Sequence, residues 1–103
     1  MMNAHANLQV WLDTLSNTRP SIVVPYVRSA QDSNIRYRVE VRKHGPGGSS
    51  TIGQGGDIHT QAGQATALSE FSLNVAAGDE CSITLSLSAN GQSASTYHFA
   101  CPR

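Results

Sequence analysis

Between Ile35 and Arg42 the chain alternates strictly. Ile35, Tyr37, Val39 and Val41 are apolar or aromatic, while Arg36, Arg38, Glu40 and Arg42 are charged. Successive side chains of a strand point to opposite faces, so this run predicts a half-buried β-strand with a row of guanidinium groups on its wet side. The same period recurs at Leu8, Val10 and Leu12 against Gln9, Trp11 and Asp13, predicting a first strand near 7–15. Ser21–Ser29 is a continuous apolar run interrupted by Pro25. Proline brings no N–H to a ladder, which puts this strand at an edge or gives it a bulge there. In Ala67–Val75 the inward positions are Phe71, Leu73 and Val75, with Ser72 and Asn74 outward. Cys81–Leu87 alternates again, and Ser93–Cys101 returns.

Turn signals punctuate these runs. They are Asn17-Thr18-Arg19-Pro20, Gln31-Asp32-Ser33, Gly45-Pro46-Gly47-Gly48, Ala77-Gly78-Asp79 and Asn90-Gly91. The glycine-rich stretch 49–63 is weakly patterned and predicts one or two short strands, around Thr51–Gln54 and Asp57–Gln61. About seven short strands and no helical period argue for an all-β fold, an antiparallel two-sheet sandwich. Residues 7–103 form the single domain, and residues 1–6 are expected to be a disordered tail.

The last hairpin supports a sharper reading. Cys81, Ile83, Leu85 and Leu87 point inward on one strand, and Tyr97, Phe99 and Cys101 on the other. Facing residues of an antiparallel pair share a face. If Ile83 faces Phe99 and Leu85 faces Tyr97, then Cys81 faces Cys101. A two-residue Asn90-Gly91 turn would set inward positions against outward ones, so a three- or five-residue loop is expected. Opposed cysteines in an exported chain read as a structural disulfide. Two buried free thiols are the alternative.

Charged residues make up 14% of the 103 residues, against about a quarter in an average chain. Ser, Thr, Gly, Asn and Gln fill the gap, as in extracytoplasmic β-proteins. The balanced charge and a pI near 6.9 give no reason to expect nucleic acid. No apolar run approaches the ~18–20 residues of a membrane span, and no insertion is expected. No secretory h-region is present either, so any signal peptide is expected to have been removed already.

The net charge of zero hides two opposed blocks. Residues 28–43 hold Arg28, Arg36, Arg38, Arg42 and Lys43 against Asp32 and Glu40, and residues 57–80 hold Asp57, Glu70, Asp79 and Glu80 with no Lys or Arg. A basic row of this kind either solubilises the surface and protects an edge or receives a partner. Catalytic constellations are missing from the pattern. His5, His44, His59 and His98 lack metal-ligand spacing, and the cysteines fit neither a CxxC nor a zinc pattern. The Gly45–Gly48 loop lacks the lysine and helix of a phosphate loop. The chain reads as a binding protein without cofactor or metal, not as an enzyme.

Four motifs in order carry a family resemblance: Ile22-Val23-Val24-Pro25, Arg38-Val39, Ala67–Val75 and Asn90-Gly91-Gln92-Ser93. Together they resemble the CsgC/CsgH family of curli assembly proteins, the CsgH branch in particular, over roughly residues 8–100. The resemblance implies a periplasmic, immunoglobulin-like sandwich of about seven strands that keeps the curli amyloid subunit from forming fibrils before export. Enterobacterial CsgC carries a Cys-x-Cys where this chain has Ile35-Arg36-Tyr37, so a redox role of that motif does not carry over. The mechanism that fits both readings is electrostatic capture of an amyloid precursor by a monomer. Arg36, Arg38 and Arg42 share a face at ~6.6–7 Å steps, with Arg28 and Lys43 nearby in sequence, a ladder suited to an extended acidic or amide-rich chain. Two rival classes are a thiol-redox or carrier domain and a carbohydrate- or surface-binding module. An exposed Trp11 beside Tyr26 would favour the module.

Overall fold

Alternation decides the architecture strand by strand. A computed structural model describes residues 8–15 and 20–102, and eight strands follow one another there without a helix. The expected tail at 1–6 and the turn positions 17–19 lie outside the described residues. The strands are β1 (Leu8–Leu15), β2 (Ser21–Ser29), β3 (Ser33–Gly45), β4 (Gly48–Thr60), β5 (Ala65–Ala67), β6 (Phe71–Leu73), β7 (Glu80–Ala89) and β8 (Ser95–Ala100). One sheet places β1 on one side of β2, with β5 and β6 in succession on the other; the second sheet runs β4-β3-β7-β8. Every pairing is antiparallel. With β5 and β6 taken as one interrupted strand, this is the expected immunoglobulin-like sandwich of seven strands.

The predicted inward positions build the core between the sheets. Val23 and Val27 of β2, with Phe71 and Leu73 of β6 in the same sheet, face Ile35, Val39 and Val41 of β3 and Ile83, Leu85 and Leu87 of β7, all at most 7% exposed. Burial of each such side chain contributes about 1.5–3 kcal/mol. Three buried polar residues close the β2–β3 corner. Ser29 and Ser33 share a 3.0 Å hydroxyl contact, the Ser33 hydroxyl donates to the Gln31 carbonyl, and Thr60 donates to the Gln61 carbonyl. Backbone N–H groups of Ala62 and Gly63 donate to the Asp32 carboxylate and the Ser29 carbonyl, tying the β4–β5 connection to the same corner.

Pro25 sits in a central strand. β2 is paired on both sides, and the ladder opposite Pro25 is bulged: β5 ends at Tyr26↔Ala67 and β6 begins at Val23↔Phe71. The extra residue among Leu68, Ser69 and Glu70 accommodates the missing donor, and Leu68 N–H donates to the Pro25 carbonyl at 2.9 Å. The single strand expected at Ala67–Val75 is therefore two short ones, because the bulge divides it.

The stretch 49–63 differs more. It holds one strand, β4, paired with β3 through thirteen positions from Ser33↔Thr60 to Gly45↔Gly48. Its pattern is weak because most of the strand runs beyond the core. Only Ile58 packs on the core and only Thr60 is buried, while Gly48 to Gly55 are exposed on both faces. Pro46-Gly47 makes the two-residue loop. The hairpin tip docks so tightly that a Cβ on Gly45 would stand 1.8 Å from Asp79 Oδ1.

The β7–β8 register matches expectation, with Ile83↔Phe99 and Leu85↔Tyr97. Cys81 and Cys101 form the disulfide, at a Cα–Cα distance of 5.5 Å. The loop differs from the expected one. Asn90 and Gly91 adopt φ of 51° and 76°, and Gln92 N–H donates to the Ala89 carbonyl, so the tight turn is present. Unpaired residues between Leu87 and Ser95 absorb the one-residue offset.

Candidate partner-binding face and edge

The outer face of the four-stranded sheet is assembled from the even positions of β3. Arg36, Arg38, Glu40 and Arg42 stand in one row, flanked across the ladders by Ser88, Ser86, Thr84 and Ser82 of β7. On the other side lie Asp57, Gly55, Gly53 and Thr51 of β4. Small hydroxyl residues and glycines leave the guanidinium groups standing above a low surface.

The three arginines are not equivalent. Arg36 Nε donates to Asp57 Oδ1 at 2.9 Å, with the two side chains 79% and 68% exposed. The hydrogen bond and charge of Asp57 raise the Arg36 pKa above its ordinary value. Arg42 Nε donates to Glu40 Oε1 at 2.7 Å. Exposed pairs of this kind contribute little to stability, yet each occupies a carboxylate-seeking group. Arg38 has no ion pair or hydrogen bond among the described residues. Its stem passes Gly55 and its Nη2 lies 2.9 Å from the position a Gly53 Cβ would take. The guanidinium of the β3 row that is uncommitted among the described residues thus lies over the edge strand. A shallow depression of about 420 Å³ borders it, lined by Arg38, Gly55, Gly56, Asp57, Ser86 and Ser88 among others.

Two expected members of the basic face stand elsewhere. Arg28 has outward parity on β2, so it belongs to the other sheet, where its Nε donates to Gln9 Oε1 at 2.9 Å. Lys43 has the inward parity of β3, and its Nζ donates to the Asn74 carbonyl at 2.8 Å. Neighbourhood in sequence did not become neighbourhood on a face, because strand parity and the β2–β3 crossover separate them. The two charge blocks also meet in space, since Arg36 faces Asp57.

Sequence reasoning missed the glycines as part of the site. Their spacing of two at Gly53 and Gly55 was the available signal, but it acquires meaning only once β4 is placed beside Arg38. β4 ends the sheet, and among the described residues no strand pairs with its far side. On the opposite outer face, Trp11 and Tyr26 stack at outward positions with ring centroids 5.6 Å apart and planes 8° apart, each half-buried and not fully exposed.

Comparison with known proteins gives a consistent picture. A family described as thin aggregative fimbriae synthesis protein, of the CsgC type, matches residues 1–98. The structure of the E. coli curli protein CsgC superposes with a TM-score of 0.78 at 22% identity, covering 89% of this chain and 97% of that one. The solution structure of R. palustris CsgH superposes with a TM-score of 0.71 at 18% identity, covering 90% and 91%. At these identities the two structures speak for a shared fold and do not separate the two branches. No curated protein matches the chain by sequence.

Proposed function

Because the chain belongs to the CsgC/CsgH family of curli assembly proteins, we propose that it is a periplasmic, chaperone-like inhibitor that binds the curli amyloid subunit and prevents premature fibril formation. The observation that carries this reading is the row of outward arginines on β3, with Arg38 uncommitted, beside the open edge of β4. Fibril growth requires unpaired strands to find one another. A guanidinium row steers an extended chain into encounter more than it tightens the complex, and its planar fork bonds carboxylates, amides and carbonyls alike. The Cys81–Cys101 disulfide and the curli-assembly family together support an extracytoplasmic protein. In this reading the disulfide is structural: Cys101 is 8% exposed and belongs to the core.

The direct test follows dye-detected fibril growth of the curli subunit from the same organism. A longer lag well below equimolar ratio supports the reading, and an unchanged lag at equimolar protein overturns it. A second reading, a carbohydrate- or surface-binding module, is favoured by the outward Trp11–Tyr26 stack. Quenching of Trp11 fluorescence by oligosaccharides, with fibril growth unaffected, would select it.

A further inference from the structure

We infer that β4 receives an extended peptide as a fifth strand of its sheet, and that Arg38, lying over Gly53, selects a segment with a carboxylate at the facing position. This deepens the proposed function by naming the chemistry of the bound segment.

Among the described residues no strand pairs with the far side of β4, which leaves a row of backbone donors and acceptors along a thirteen-residue strand. Natural edges are usually shortened or guarded by Lys, Pro or inward charges. β4 contains none of these, and its one charged side chain, Asp57, is held by Arg36. The other edges are shorter, at eight residues in β1, three each in β5 and β6, and six in β8. The glycines supply the second half of the inference. Neither Gly53 nor Gly55 carries a side chain on the outer face, so the Arg38 stem passes Gly55 and its guanidinium lies over β4 at Gly53. A strand added to the edge would lie ~4.8 Å further out, within reach of that guanidinium for a glutamate or aspartate side chain. Main-chain pairing would supply affinity and the charge would set the register. A second copy of the chain fits this edge poorly. It would bring another Arg38 to the seam, and the carboxylate of its own β4 is already occupied.

The test uses a capped synthetic peptide as long as β4, made of glycine, serine and glutamine with one central glutamate, and a matched peptide with glutamine there. Amide hydrogen exchange read by NMR should show protection of alternate amides along β4, with β8 unchanged. Affinity for the glutamate peptide should exceed that for the glutamine peptide by about two- to fivefold, the scale of an exposed charge pair. Arg38→Gln should abolish the preference while β4 protection persists. Gly53→Val should do the same, since a Cβ there first meets only the flexible end of Arg38. Protection absent at millimolar peptide, or falling on β8 or β1, overturns the inference, as does a preference that survives both substitutions. Concentration-dependent protection of β4 without peptide, with a dimer in sedimentation, assigns the edge to a second copy and overturns it equally. Peptide-dependent β4 protection without any delay of fibril growth would overturn the proposed function alone. Delay without β4 protection would overturn this inference alone.

Discussion

The two edges of the four-stranded sheet solve the same problem in opposite ways. β8 is six residues long, packs Tyr97 and Phe99 against the core, and is followed at once by Cys101, bonded to Cys81. β4 is thirteen residues long, mostly exposed, and among the described residues paired by β3 alone, with one further hold where the Ser69 hydroxyl donates to Gln54 Oε1. One edge is shortened and fastened, the other left long and plain. The difference teaches that openness here is local. The same sheet that closes one edge covalently leaves the other without a pairing strand among the described residues, next to the arginine of the β3 row that makes no ion pair there.

Breaking the fastened edge should have the largest effect. Closing a loop of 20 residues stabilises by about 3 kcal/mol in the chain-entropy model, and by less where the hairpin already limits the chain. Cys81→Ser/Cys101→Ser should therefore lower the melting temperature and speed hydrogen exchange in β8, while inhibition of fibril growth persists. Loss of inhibition with the fold intact would make the thiols functional.

The next largest effect tests how β4 is held. A Cβ on Gly55 would stand 2.9 Å from the Tyr37 carbonyl oxygen, so the backbone itself must move. Gly55→Val should cost about 1–3 kcal/mol, as overpacking does, read from the urea midpoint. Gly53→Val in the same assay should be nearly neutral, and equal costs would contradict the geometry.

Removing the charges should spare stability and reach function. Arg36, Arg38 and Arg42 changed together to Gln should leave the thermal midpoint close to that of the unchanged protein while inhibition weakens clearly. The unchanged protein should lose potency as the Debye length falls from ~30 Å to ~8 Å with rising salt. A folded triple variant of full potency, with no salt dependence in either protein, would leave edge pairing as the surviving mechanism. The smallest effect separates the arginines. Arg38→Gln should reduce potency more than Arg36→Gln, because Asp57 already engages Arg36. Asp57→Asn should narrow that gap by releasing Arg36.

Much of the fold was legible because the core strands obey a period of two. Ile35 to Val41 and Cys81 to Leu87 turn one face toward the core and the other outward, so parity marked their inward sides and put Cys81 and Cys101 on the same face, while their pairing followed only once Ile83 was set against Phe99. β4 was obscure for the same physical reason in reverse. A strand that projects past the core buries little, and glycine adds no side chain to reveal a face. The interrupted β5–β6 segment was hidden because a bulge is set by its neighbour, Pro25 in β2, and not by its own residues.

The sequence by itself determined the sandwich, its inward residues, the disulfide and the family. All of these follow from local alternation, turn residues and ordered motifs. Only the tertiary structure decided which charges share a face. Arg28 and Lys43 left the row, Asp57 joined Arg36 from the acidic block, and Gly53 cleared the space into which Arg38 extends. Alternation along one strand says which side a group takes, but what stands beside it depends on the register of the neighbouring strand, and that is set by the packing of the whole.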